Sequence, residues 1–159
     1  MTFSIVGRCA LTGMLGVAIT TSSICVSARC PHARAGVGAV ATQNITDPAL
    51  GPMLLDLMAR GIPAPDAIAA VVAGRSHIEF RQLTAVDGKG RVAHHTGARI
   101  LGTNAVQAGS DCMAAGNLLA STAVPKAMAD GFAKHAKKHL ADRLLAALEA
   151  GRDAGGEEG

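Results

Sequence analysis

The sequence has no Trp and no Tyr, and only three Phe, at positions 3, 80 and 132. A chain so poor in rings has little with which to stack unpaired bases, cage a quaternary ammonium ion or anchor an interface through Tyr and Trp. Charge of one sign is also lacking. Fifteen basic and 12 acidic residues, a formal net charge of +3, are spread along the chain and make no nucleic-acid footprint. Residues 9 to 28 carry no charge, yet Thr12, Gly13, Gly16, Thr20, Thr21, Ser22, Ser23 and Ser27 make that window poor material for a membrane span. Val26-Ser27-Ala28 has the small residues of a signal-peptide cleavage site, but the hydroxyl content favours a cytoplasmic protein.

The cysteines Cys9, Cys25, Cys30 and Cys112 include no C-x-x-C pair and no zinc-site spacing. They read as buried, reduced small hydrophobes. Cys30 and His32 stand close enough to share a metal, but no second ligand pair accompanies them. His94 and His95 point to opposite faces of a strand, and His135 and His139 sit among Lys134, Lys137 and Lys138, which repel a cation. Neither a metal nor a cofactor is expected.

What is present is an aliphatic core. Of 159 residues, 49% are hydrophobic, and 19 are glycine. That length and composition suit one domain, residues 1–159. Residues 2–9 and 15–21 are strand-like and flank a Leu11-Thr12-Gly13 turn, which predicts an antiparallel hairpin. Residues 35–42 form a third candidate strand with Gly36 and Gly38 on one face, where another backbone or a ligand can come close. Pro48 to Pro52 breaks the chain. Met53, Leu54, Leu57 and Met58 then recur at helical spacing until Gly61, and Pro65-Asp66 opens a second helix that ends at Gly74. Residues 81–86 and 91–96 flank Asp87-Gly88-Lys89-Gly90, a second hairpin in which Asp87 shapes the turn. A strand over 112–119 and helices over 124–135 and 139–150 follow, the last amphipathic through Leu140, Leu144, Leu145 and Leu148. There is no G-x-x-x-x-G-K-[ST], no G-x-G-x-x-G after a strand and no heptad repeat, so nucleotide-binding and coiled-coil readings fall away. Paired helices among mainly antiparallel strands predict an α+β layered sandwich.

Met1-Thr2-Phe3-Ser4-Ile5-Val6, Gly16-Val17-Ala18, the run from Arg34 to Gln43, Gly51-Pro52, Gln82 with Asp87, and Gly116-Asn117-Leu118-Leu119 together resemble the bacterial family called domain of unknown function 1028. The resemblance runs from Met1 to about Gly156. It implies a four-layer αββα sandwich of N-terminal-nucleophile (Ntn) hydrolase type. Family members usually continue with strands that complete a sheet, so this chain is expected to lack the last strands. The exposed edge would be covered in a homo-oligomer or by a complementing C-terminal chain.

In such hydrolases the first residue of the mature chain is the nucleophile and its own α-amine is the base. Removal of Met1 would place Thr2 in that role, and the expected activity is hydrolysis of a small amide or lactam. Arg34 stands where the proteasome-like branch has a Lys, although its guanidinium does not readily shuttle a proton. Asn117 is the candidate oxyanion donor. Thr20, Thr21 and Ser22 at the end of the second strand, and Gln43 and Asn44 at the end of the third, are candidate substrate-binding residues. Two alternatives stand beside this reading. One is a non-catalytic ligand-binding or assembly module on the same fold. The other is the α-subunit of an autoprocessed hydrolase, in which Thr2 is structural.

Overall fold

A computed structural model describes residues 2–158. Seven residues of alternating character form β1 (Thr2–Arg8), which turns through Leu11–Gly13 into β2 (Leu15–Thr21). The two pair antiparallel from Thr2↔Thr21 to Arg8↔Leu15, as the turn signal predicts. The uncharged window from Cys9 to Ala28 is therefore largely an edge strand and its flanking loops. Among the described residues no helix is long and apolar enough to cross a membrane.

The next two strands are β3 (Pro31–Arg34) and β4 (Gly38–Asn44). They differ from the single strand expected over 35–42. Gly36 falls in the turn between them, at φ 72°, and Gly38 begins β4. A Cβ on Gly38 would lie 2.7 Å from Met58 Cε, so the close approach expected on this glycine face is made by a helix side chain. Helices α1 (Leu50–Ala59) and α2 (Ala64–Gly74) follow. Pro52 stands inside α1 rather than before it. It occupies the first turn, where an amide N–H has no intrahelical acceptor to lose.

The hairpin of β5 (Arg81–Asp87) and β6 (Val92–Thr96) is where the Asp-Gly turn placed it. β7 (Ala105–Gly109) was not legible in the sequence, and it pairs with β8 (Cys112–Asn117). Two helices close the chain, α3 (Val124–Lys134) and α4 (Leu140–Asp153).

The strands form two antiparallel four-stranded sheets, ordered β2-β1-β8-β7 and β3-β4-β5-β6. α3 and α4 pack on the first sheet and α1 and α2 on the second, and the sheets face each other. This is the expected αββα layering. Residues of β1 alternate between the two sides of its sheet. Phe3 and Ile5 join Phe132, Leu140 and Leu144 under the helices, while Val6 joins Ala39, Ala41, Val86 and Met113 between the sheets. Burying a side chain such as Phe132 contributes about 1.5–3 kcal/mol. α4 seats close to the sheet because Gly16 has no side chain there, and a Cβ would sit 2.9 Å from Leu144 Cδ1.

Candidate functional site

β1 is central in its sheet, and its inward-facing positions are Thr2, Ser4 and Val6. Val6 meets apolar partners. Thr2 and Ser4 lie at the other end of the strand and face polar ones. Strand pairing puts Thr2 opposite Thr21 on one side and opposite Asn117 on the other. The Thr2 and Thr21 hydroxyl oxygens are 3.0 Å apart, and Thr2 is 7% exposed.

Ser4 Oγ donates across the inter-sheet space to Gln43 Oε1 at 2.6 Å. Gln43 Nε2 donates to Gln82 Oε1 at 2.8 Å, and Asn117 Nδ2 donates to the same oxygen at 3.3 Å. Gln82 Nε2 in turn donates to the carbonyl of Gly116 at 3.1 Å. Each of these bonds fixes which way an amide points. The chain of donors ties β1, β4, β5 and β8 together at one end of the sandwich. Six neutral side chains, Thr2, Ser4, Thr21, Gln43, Gln82 and Asn117, fill the space that valine, alanine and methionine fill at the other end. Burying that many polar groups is tolerated only because they satisfy one another.

The row continues along β5, where Thr84 is 1% exposed and its Oγ1 has no hydrogen-bond partner among the described residues. The backbone is unusual beside two members of the cluster. Asn44, directly after Gln43, has φ 74°, and Leu118, directly after Asn117, has φ 51°. The left-handed region costs a leucine about 1–2 kcal/mol. Strain of this kind concentrates at functional sites.

Of the candidate residues, Thr2, Thr21, Gln43 and Asn117 are brought together, and four others are not. Thr20 alternates to the opposite face, where it lines a cavity with Phe3 and Leu148 beneath α4. Ser22 is exposed beyond the end of β2. Asn44 turns away from the inter-sheet space, its Nδ2 donating to the Phe80 carbonyl at 2.7 Å and its Oδ1 accepting from Leu101 N at 3.2 Å.

Arg34 requires a correction. It ends β3 opposite Gly38, at the far end of β4 from Gln43. There it pairs with exposed Asp56 at 2.8 Å and supplies no cation to Thr2. Ser4 and Gln82 were missed as site residues. The two-residue period from Thr2 was the signal for Ser4, and for Gln82 it was the same period along β5, where Gln82 and Thr84 alternate with Leu83 and Ala85.

The other polar candidates are used structurally. Asp87 accepts from the amides of Ala64, Lys89 and Arg91 and from Arg91 Nε. Burial pushes its carboxyl up, but these donors outweigh burial and hold it below the ordinary carboxylate value. His139 caps α4, its Nδ1 accepting from Ala141 N at 3.2 Å. Cys9, Cys30 and Cys112 are buried free thiols, but Cys25 is exposed, contrary to the expectation for all four. Cys30 Sγ lies 3.6 Å from Thr46 Oγ1, and His32 Nε2 contacts the Arg29 carbonyl.

This architecture has a known counterpart. The family model described as a family of unknown function, DUF1028, matches residues 2–159. The chain belongs to the DUF1028 family. Its fold closely matches the crystal structure of the DUF1028 protein SPO2555 from Silicibacter pomeroyi, with a TM-score of 0.92 and 31% identity. The match covers 97% of this chain and 68% of that one. No curated protein matches this DUF1028 chain.

Proposed function

We propose that this DUF1028 protein is an N-terminal-nucleophile amidohydrolase that cleaves a small amide or lactam, with Thr2 as nucleophile. One observation carries the reading: Thr2 begins a central strand, between the sheets, directly opposite Asn117 and within 3.0 Å of the Thr21 hydroxyl. The strained Leu118 directly after Asn117 adds weight to it.

In this reading removal of Met1 frees the α-amine of Thr2, the one ionisable group in a cluster of neutral side chains. Its ordinary pKa near 8 lets it take the hydroxyl proton at neutral pH. Thr2 Oγ1 then adds to the amide carbonyl, and the developing oxyanion is met by a neutral donor. Asn117 Nδ2 is suited to that role, since it holds only a 3.3 Å bond to Gln82 and can be drawn from it. Collapse of the intermediate breaks the C–N bond, and the leaving amine carries away the proton held by the α-amine. Water resolves the ester by the same route, restoring the hydroxyl. Gln43 and Gln82 act as positioning residues that hold Asn117 and Ser4 in place. Arg34 has no part.

A second reading is a non-catalytic binding module. Its support is that Ser4, Gln43, Gln82 and Asn117 hydrogen-bond to one another. A screen of amide and lactam substrates with wild-type protein and Thr2→Ala separates the two. Turnover that disappears in the variant supports the hydrolase, and turnover unchanged in the variant refutes it.

A further inference from the structure

Edge strands are normally guarded by shortness, charge, proline or a bulge, because their unpaired N–H and C=O groups recruit other strands. Three of the four edges here are guarded. β3 has four residues, begins with Pro31 and carries His32 and Arg34. β6 and β7 have only five residues each. β2 has seven residues without charge, proline or bulge, and every one of them is half-buried.

The surface beside β2 is unfinished in the same way. Between β2 and α4 lie a cavity of about 700 Å³, bounded by Met14, Gly16, Leu140 and Leu144, and one of about 510 Å³ that Leu145 and Leu148 help to line. Leu145 is 56% exposed, and Leu11 and Ile24, just beyond the two ends of β2, are each 85% exposed. α4 runs parallel to β2, since its start shares a cavity with Leu15 and its end shares one with Thr20. Its ends differ in net charge. Lys137 and Lys138 precede it, with Asp142 in its first turn, and Glu149 and Asp153 lie in its last turns, where Arg152 pairs with Asp153 at 2.8 Å.

We propose that β2 is the seam of a symmetric dimer, in which a second copy of the chain adds its own β2 antiparallel and joins two four-stranded sheets into one. A two-fold axis near Ala18 sets Val17 across from the partner's Ile19, a β-branched pair suited to a sheet face. It also lays the two α4 helices antiparallel. The lysines before one helix then meet Glu149 near the end of the other, and Leu11 comes to the region of the partner's Ile24. A second copy fits better than an unrelated strand because the lysines and Glu149 lie at opposite ends of α4 and the two most exposed apolar residues flank the strand at opposite ends. Both patterns are self-complementary under a two-fold, as an isologous interface requires. The interface does not depend on the catalytic reading, although it would steady Thr21 beside Thr2.

Sedimentation equilibrium on the full chain tests the inference. The expected species has twice the 16.0 kDa chain mass. Ala18→Lys, which puts a charge at the centre of the seam on the side of β2 that packs under the helices, and Leu145→Glu, on the exposed face of α4, should each give monomers with unchanged circular dichroism. Lys138→Glu or Glu149→Lys alone should weaken the dimer by roughly 3- to 10-fold, and the two together should restore it. A wild-type chain that stays monomeric at about 1 mM, far above the Kd of a specific interface, overturns the inference. A dimer indifferent to both Ala18→Lys and Leu145→Glu does so as well. If Ala18→Lys fails to fold, Leu145→Glu decides alone.

Discussion

Where β1 ends at Arg8, the space between the sheets is filled by Val6, Val86 and Met113 and closed by charge. Arg8 pairs with Asp111 at 2.7 Å, and Asp87 pairs with Arg91 at 2.7 Å. Where β1 begins at Thr2, at the other end of a seven-residue strand, the same two strands of each sheet enclose neutral hydroxyls and amides. The first end is what a sandwich needs for stability. The second replaces apolar contacts with hydrogen bonds whose net worth is about 1 kcal/mol each, and it holds a leucine, Leu118, at φ 51°. A fold gains little by such an exchange, so the polar end is the one to search for chemistry.

The largest expected effect separates the two ends by function. Thr2→Ala should lower amide turnover by at least about 1000-fold, equivalent to about 4 kcal/mol, with thermal unfolding nearly unchanged. Activity and melting temperature measured on one preparation check this. Next comes the charged end. Asp87→Ala strands the amides of Ala64, Lys89 and Arg91 and should cost about 3 kcal/mol in urea unfolding, with no specific effect on turnover.

Asp87 also sets a pH dependence. Its carboxyl is held below the ordinary value despite burial. The stability it contributes is complete above the unfolded-state value of about 3.9 and is lost as the pH falls through the lower folded-state value. Unfolding curves from pH 6 down to pH 2 should be flatter at the acid end for Asp87→Asn than for the wild type.

A smaller effect probes the hydrogen-bond chain. Gln43→Leu removes the acceptor of Ser4 and one donor to Gln82, for about 2 kcal/mol. Ser4→Ala combined with Gln43→Leu should cost less than the sum of the single changes, because no hydroxyl is then left stranded. The smallest effect belongs to Arg34→Ala. Its exposed pair with Asp56 should be worth under about 0.5 kcal/mol, with turnover untouched.

How far the sequence carried depended on how local the signal was. The β1–β2 and β5–β6 hairpins were legible because Leu11-Thr12-Gly13 and Asp87-Gly88 mark turns through neighbouring residues. β3 and β7 were not. Pro31-His32-Ala33-Arg34 is too short to show a period, and Ala105 to Gly109 is made of small residues whose partner strand lies across a loop. The role of Arg34 came from the family resemblance alone, since a strand over 35–42 already sets Arg34 and Gln43 at opposite ends.

At the site, Thr2 and Asn117 were singled out through family resemblance joined to strand position. Thr20 was over-read, since adjacent strand residues face opposite ways and only one of Thr20 and Thr21 can reach Thr2. Gln82 escaped notice as a site residue because its role depends on a bond across two sheets, and no pattern along a single strand reports that.

The central claim is that Thr2, as the first residue of the mature chain, supplies the attacking hydroxyl. Intact-mass and peptide mass spectrometry of the native protein, before and after treatment with a β-lactone that acylates N-terminal threonines, tests it most directly. The account predicts loss of Met1 and a single acyl adduct on the Thr2 peptide, absent in Thr2→Ala. Retention of Met1, or a folded protein that takes up no adduct at Thr2, would contradict it.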